Sequence, residues 1–370
     1  MRSSATVRRL PILTLGALST LACNRTPEAK PDTVSTPRAV AVQARDSSSG
    51  SASPLTPHPS LLTPSSYRLP GSARVVAIGD IHGDLNALRA ALRLAGAIDS
   101  DDHWIGKDLT VVQTGDQVDR GDQDREVLDE LEKLEGDAKT GGSTLVILNG
   151  NHELMNASFD FRYVTRKSFA SFSDFASRAG AVAQGLPDDE RGRAAAFAPG
   201  APYALKLAKH LTIAVVGDSL FAHGGVLPAH IDYGLDRINS EAQSFLAGRL
   251  RELPAALSGE DAPVWTRIYG SPQVDEATCQ MLGRVLAQVG AKRLVVGHTV
   301  QKNSISSACG ERLFRIDVGL SAYYGDNPAE VLEITAQGTR VLKAGSEPAA
   351  SPSASAKKSK TGDSGLHSSP

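Results

Sequence analysis

The sequence predicts an α/β domain whose strands deliver polar side chains to one edge. Three observations carry that reading. Short β-branched and apolar runs alternate with stretches of helical period. Each of the first three runs stops abruptly, at Gly79, at Gly115 and at Asn149-Gly150. Directly after each stop stand residues able to bind a metal or an anion. In open α/β sheets, ligands bind beyond the carboxyl ends of the strands. Three units that place such residues at one edge weigh more than any single motif.

The first unit is Arg74-Val-Val-Ala-Ile-Gly-Asp-Ile-His-Gly-Asp84. It reads as a buried strand, a glycine turn and two candidate ligands, Asp80 and His82, with Gly83 giving room for a metal or substrate. Alone it is weak, because an Asp-x-His pair also occurs in surface turns. Residues 84–95 follow as a helix. Leu85, Leu88, Leu92 and Ala95 form one apolar stripe, Asp84 is a candidate cap, and Gly96 is a stop. The second strand, 109–114, runs into Gly115-Asp-Gln-Val-Asp-Arg-Gly121 and a helix over about 124–134. The third, 143–148, runs into Asn149-Gly-Asn-His-Glu153. Residues 154–209 carry Phe159, Phe161, Phe169, Phe172, Phe175 and Phe197. They read as a lid-like insertion over a small satellite core, in preference to an aromatic cofactor pocket. A hairpin about Gly217-Asp218 ends at His223. Helices are expected over about 240–252 and 276–289, and a strand from Arg293 ends at Gly297-His298. Late strands at 313–318, 329–334 and 339–342 are expected to be antiparallel.

The flanks differ in kind. Residues 1–22 have the layout of an export signal: Arg2, Arg8 and Arg9, then an apolar stretch, then Leu21-Ala22-Cys23. Cys23 is a candidate lipid anchor, although Thr20 and Leu21 depart from the usual order of a bacterial lipoprotein site. The expected location is therefore outside the inner membrane, periplasmic or anchored as a lipoprotein. Residues 23–70 read as a Ser/Pro/Thr linker and 345–370 as a disordered tail, with Lys357, Lys358 and Lys360 as solvated charge. That leaves 71–344 as one large domain. Of the 370 residues, 39 are Lys or Arg and 41 Asp or Glu, so a net charge of −2 offers no basis for nucleic-acid binding. Cys279 and Cys309 are left open as a disulfide: an exported domain permits one, but spacing does not show their approach.

Collected, the residues past strand ends are Asp80, His82, Asp116, Asn151, His152, His223 and His298, which include four of the nine histidines. That is too many for one ion and suits two, about 3.5–4 Å apart, clamping a reacting phosphoryl group. A set of Asp, Asn and His without thiolate suits Mn, Fe or Zn. Arg120 and Arg267 have the planar fork that matches phosphoryl oxygens. Turn caps could account for Asp80, Asp116 or Asp119 singly, but not for the ordered set.

Five motifs, Gly79-Asp-Ile-His-Gly83, Gly115-Asp-Gln-Val-Asp-Arg-Gly121, Gly150-Asn-His-Glu153, His223-Gly-Gly225 and Gly297-His298, resemble in order and spacing the calcineurin-like metallophosphoesterases. More narrowly, the chain is similar to the phosphoprotein-phosphatase branch, and within it to the bacterial Shewanella-like protein phosphatases, with Leu154-Met-Asn156 and Arg162-Tyr-Val164 among the shared segments. The resemblance implies a four-layer αββα sandwich with two mixed β-sheets and a helical insertion near the active site. It implies that Asp80 and His82 hold one metal, Asn151, His223 and His298 the second, and that Asp116 bridges. His152 would protonate the leaving group, oriented by Asp119, while Arg120 and Arg267 hold phosphate. Asp317 and Tyr324 are near-site candidates. Gly319-Leu-Ser-Ala-Tyr-Tyr-Gly325 stands where eukaryotic relatives carry a SAPNYC-type segment, so their toxin sensitivity and regulatory partners do not carry over. The implied activity is a dimetal phosphomonoesterase, manganese favoured, acting on a phosphoprotein, phosphopeptide or small phosphoester by direct in-line attack of a metal-bridging hydroxide. The alternatives are a nucleotide or bis(5'-nucleosyl)-tetraphosphate hydrolase, and a non-catalytic metal-binding surface module. Asp119, Arg120 and His152 together speak against the last.

Overall fold

The structure is a computed structural model that describes residues 66–345. The expected export signal, Cys23, the lysine cluster, most of the linker and nearly all of the tail lie outside the described residues. In chain order the strands are β1 (Arg68–Leu69), β2 (Arg74–Ile78), β3 (Leu109–Gln113), β4 (Thr144–Ile147), β5 (Ile213–Val216), β6 (Ser219–Ala222), β7 (Arg293–Val296), β8 (Ser306–Ala308), β9 (Leu313–Arg315), β10 (Glu330–Thr335) and β11 (Gly338–Lys343). They form two mixed sheets, ordered β11-β10-β2-β3-β4 and β1-β5-β6-β7-β9-β8.

The first three sequence units are adjacent. β2, β3 and β4 pair in parallel, with Val76 opposite Val111 and Val111 opposite Leu145, so their three loops leave from one edge. Asp84 caps the helix Leu85–Leu94 by accepting from the Ala87 amide, and Leu88, Leu92 and Ala95 are buried. The period of two along the second sheet explains the layering. Ala214, Val216, Phe221, Val295 and Phe314 join one core with the first sheet and its helices. Their alternates Ile213, Val215, Leu220, Ala222, Leu294 and Val296 join another with the helices Leu235–Leu246 and Glu276–Val289. Each sheet thus presents one face to the other sheet and one to helices.

Several expectations are corrected. The helix expected over 124–134 runs Asp124–Thr140, because buried Ala138 continues its apolar stripe past Gly136, and it ends at Gly141. The helix expected over 240–252 is Leu235–Leu246. Gly234 (φ 101°) opens it, Gly248 (φ 73°) lies just beyond its end, and Leu235, Ile238, Ala242 and Phe245 set its buried face. β9 is shorter than expected and pairs parallel with β7, while its antiparallel partner is the unforeseen β8. β10 and β11 are antiparallel as expected. β1 lies inside the stretch read as linker and pairs parallel with β5. In the 154–209 segment only Phe161 and Phe169, with Ala194, form a satellite core. Phe172, Phe175, Phe197 and Tyr203 instead pack against one another within the second sheet's core, Phe172 edge-on to Phe197 and Tyr203, and Tyr203 edge-on to Phe175 and stacked on Phe197.

Cys279 and Cys309 form a disulfide with a Cα–Cα distance of 5.2 Å, tying the helix Glu276–Val289 to the turn between β8 and β9. Closing a loop of sequence separation 30 restricts the unfolded chain. The Cys279→Ser/Cys309→Ser variant should therefore lose roughly 3–4 kcal/mol in guanidinium unfolding. Reductant should lower the parent to the same midpoint and leave the variant unchanged.

Candidate metal centre

The loops after β2 and β3 are stitched together by their backbones. Ile81 and His82 amides donate to the Asp116 carbonyl at 3.0 and 2.9 Å, and Gly83 donates to Gln117 at 2.8 Å. This close approach explains the glycines. A Cβ at Gly83 would lie 2.2 Å from an Asp124 carboxylate oxygen, so this glycine makes room for the second motif rather than for metal or substrate. A Cβ at Gly115 would lie 2.7 Å from the Gly150 amide and 2.9 Å from the His223 ring. Five site residues adopt left-handed backbone: His82 (φ 47°), Asp116 (56°), Asp119 (70°), Arg120 (68°) and His298 (66°). Such conformations cost of order 1–3 kcal/mol each and persist only where surrounding bonds hold them. Glu153 is one such hold. It is fully buried, and its carboxylate accepts from the amides of Asp116 (2.9 Å), Gln117 (2.8 Å) and Gly150 (2.6 Å).

Three imidazoles then turn one nitrogen outward to a carbonyl and the other inward. His82 Nδ1 donates to Val118 at 3.2 Å, His223 Nδ1 to Thr114 at 3.0 Å, and His298 Nε2 to Trp265 at 3.0 Å. These carbonyls assign the tautomers and leave His82 Nε2, His223 Nε2 and His298 Nδ1 as lone pairs facing the centre. Asp116 is the hub. Its Oδ1 is held by the His152 amide at 3.1 Å. Its Oδ2 faces His223 Nε2 at 3.1 Å, His152 Nε2 at 3.7 Å and His82 Nε2 at 3.8 Å. His223 Nε2 also lies 3.1 Å from Asn151 Oδ1 and 3.1 Å from His298 Nδ1. Asp80 completes the cluster, 4.0 Å from His82 Nε2 and within 3.1 Å of the His298 amide.

So many acceptors around one point call for positive charge. Two ligand-competent groups share Asp116: His82, Asp116 and His152 on one side, and Asp116, His223 and His298 on the other. The electrostatics agree. Burial and the neighbouring His152 push His82 down to about 3, and burial with His223 holds His298 well below the usual histidine range, so both keep their lone pairs. Burial alone would lower His223, but Asp116 and Asp80 outweigh it and push it up to about 10. The same carboxylate charge would attract a cation to this point. The donor set, oxygen and imidazole nitrogen in two groups that share Asp116, therefore fits two divalent ions.

His152 differs from the other three. Its Nδ1 donates to Asp119 Oδ2 at 2.7 Å, which leaves Nε2 toward the cluster. Burial would depress its pKa, but Asp116 and Asp119 raise it above the ordinary value. Arg120 stands between tyrosines, its guanidinium carbon 4.6 Å from the Tyr163 ring centre, 5.3 Å from Tyr323 and 5.7 Å from Tyr324. Its Nε is buried and has no partner among the described residues. Arg267 is exposed and bonds the His298 carbonyl at 3.0 Å, which puts it beside the centre. Asp317 is buried against Asp80 and Asp116, and burial pushes it up to about 6. All ten candidate site residues thus lie in or beside one cluster. Glu153, Tyr163, Tyr323 and Arg193 went unassigned in the sequence reading. Glu153 is visible inside a motif, and Tyr163 and Tyr323 lie in the segments 162–164 and 319–325 without a role of their own, whereas Arg193 sits in a stretch without any motif. Outside the centre, an exposed group of Asp99, Asp101 and His103 is held by its own turn. His210 and His230 are structural: buried His210 is pushed down to about 4, and His230 Nδ1 accepts from the Leu227 amide.

The chain is similar to known phosphoesterases and phosphatases. Residues 73–302 match the family model described as calcineurin-like phosphoesterase. The chain is 40% identical over 292 residues to Shewanella-like protein phosphatase 2 of Arabidopsis thaliana, covering 70% of this chain and 75% of that one. It is 29% identical over 273 residues to Shewanella-like protein phosphatase 1 of Plasmodium berghei, covering 71% and 72%. Among solved structures, the cold-active protein-tyrosine phosphatase of a psychrophilic Shewanella species matches with a TM-score of 0.61 and 26% identity, over 74% of this chain and 82% of that one.

The role given to Glu153 is testable. Glu153→Gln replaces an acceptor oxygen with an amide nitrogen opposite backbone N–H groups. It should weaken metal binding about 10–100-fold, as loss of groups that orient metal ligands does. Titration with Mn²⁺ followed by calorimetry measures this, and unchanged affinity would remove Glu153 from the site.

Proposed function

The chain belongs to the calcineurin-like phosphoesterase family, and we propose that it is a two-metal phosphatase acting on phosphoproteins, with manganese as the favoured ion. The observation that carries the reading is Asp116 Oδ2, shared by two buried histidine groups. Asp80, His82 and Asp116 would hold the first ion, and Asn151, His223 and His298, with Asp116, would hold the second. When bound, the two ions supply an activated water and neutralise phosphoryl charge. The chain's own residues do the rest. Arg120, with its unpartnered buried Nε, and Arg267 hold the phosphoryl oxygens. His152 gives a proton from Nε2 to the departing oxygen, while Asp119 fixes the ring through Nδ1.

Within that class the surroundings of Arg120 favour phosphotyrosine. Tyr163, Tyr323 and Tyr324 surround the guanidinium, and Tyr323 is 59% exposed, a flat apolar wall for an arriving ring. The solved relative described as a tyrosine phosphatase supports the same choice. The Cys279–Cys309 disulfide supports an exported, oxidising location, with Cys23 as the proposed anchor.

Chelator-treated protein should be inactive and regain p-nitrophenyl phosphate hydrolysis with Mn²⁺. On a panel of phosphotyrosine, phosphoserine and phosphothreonine peptides with diadenosine tetraphosphate alongside, the phosphotyrosine peptides should turn over fastest. A preference for the dinucleotide would contradict the reading. The pH profile gives a separate check. A general acid with a raised pKa acts fully below that pKa and is lost as pH rises through it. Asp119→Asn removes a charge that raises His152, so the alkaline limb of kcat should move to lower pH, with a loss on the order of 10²-fold at the optimum. An unmoved limb would take the proton-donor role away from His152.

A further inference from the structure

Arg193 is fully buried, on the short helix Arg191–Phe197 within the 154–209 segment. A buried arginine is rare unless it is paired and every donor is used. Here the fork has four partners. Nη2 donates to Asp119 Oδ1 at 3.1 Å and to Asp124 Oδ2 at 2.6 Å, Nε to Asn156 Oδ1 at 2.6 Å, and Nη1 to Ser168 Oγ at 2.7 Å. Phe172 and Phe197 lie 5.3 and 4.8 Å from its guanidinium carbon.

These contacts reach Asp119 by three routes. The first is the direct bond to its side chain. The second runs through Asp124, whose Oδ1 accepts from the Asp119 backbone amide at 2.9 Å, at a residue held in left-handed backbone. The third runs through Asn156. Because Arg193 binds its oxygen, the amide nitrogen must face the other way, where it donates to Asp119 Oδ1 and to the His152 carbonyl, both at 2.9 Å. Asp119 is thereby left with one oxygen, Oδ2, for His152 Nδ1.

We propose that Arg193 is a positioning residue for proton delivery: it locks Asp119, and through Asp119 the His152 ring, in the geometry that aims Nε2 at the departing oxygen. The insertion is then a working part of the site as well as a cover. The proposal rests on the reading of His152 as proton donor. A role confined to stability would place Arg193 equally well between Asp124 and Ser168, so the test must read proton delivery itself.

The full chain with Mn²⁺ is assayed on two aryl phosphates: phenyl phosphate, whose leaving oxygen needs a proton, and 2,4-dinitrophenyl phosphate, whose leaving group departs with little help. Arg193→Lys keeps the charge but cannot span four partners. Its kcat/KM on phenyl phosphate should fall on the order of tenfold or more, while the dinitrophenyl ester loses less than about twofold. Bound Mn per chain should be unchanged. Arg193→Met/Asp124→Asn, which removes the buried charge and one uncompensated carboxylate together, should show the same selective loss. Equal loss on both esters, loss of metal, no loss on either, or failure of both variants to fold would each overturn the proposal. His152→Gln separates the two claims. If it too fails to discriminate between the esters, the donor reading falls; if it discriminates and the Arg193 variants do not, only the positioning role falls.

Discussion

A carboxylate buried like Asp116 needs positive charge beside it, and much of this molecule is arranged around that need. Its Oδ2 sits among inward-facing imidazole nitrogens, with Asp80 and the Asn151 oxygen close by. Taken without cations, such a cluster is self-repelling. Two cations would supply the charge it lacks. That single requirement accounts for the outward carbonyl bonds that fix each tautomer and for the withdrawal of the site from water.

Holding the cluster falls to the backbone around it. Five residues sit in left-handed conformations, and close loop contacts exclude side chains at Gly83 and Gly115. Glu153 and Asp124 are anchors rather than reactants: each carboxylate takes backbone amides that would otherwise be buried without partners. The parallel β2-β3-β4 arrangement brings the first three loops to one edge, and the second sheet adds His223 and His298 from the ends of β6 and β7.

How much of this the sequence disclosed follows from what sets each feature. Apolar runs that stop at glycine and then carry Asp, His or Asn are local, so the three strand ends and the candidate ligands after them, Asp80, His82, Asp116 and Asn151, were legible. The helix Glu276–Val289 was legible to the residue because Asp275 caps it and left-handed Gly290 ends it. Features set by distant partners were not. β8 is a three-residue strand defined by its pairing with β9, and β9 takes its direction from β7. The aromatic segment looked like an island because sequence shows which residues are apolar but not which core receives them. Arg193 carried no signal at all. An arginine in an alanine-rich stretch reads as surface charge until Asp119, 74 positions away, appears beside it.

The central claim is that one carboxylate bridges two cations. Anomalous diffraction from crystals soaked in Mn²⁺ reads this directly. Two peaks about 3.5–4 Å apart, with Asp116 Oδ2 between them, His82 and Asp80 on one and Asn151, His223 and His298 on the other, are the predicted result. A single peak, or two that do not share Asp116, would contradict it.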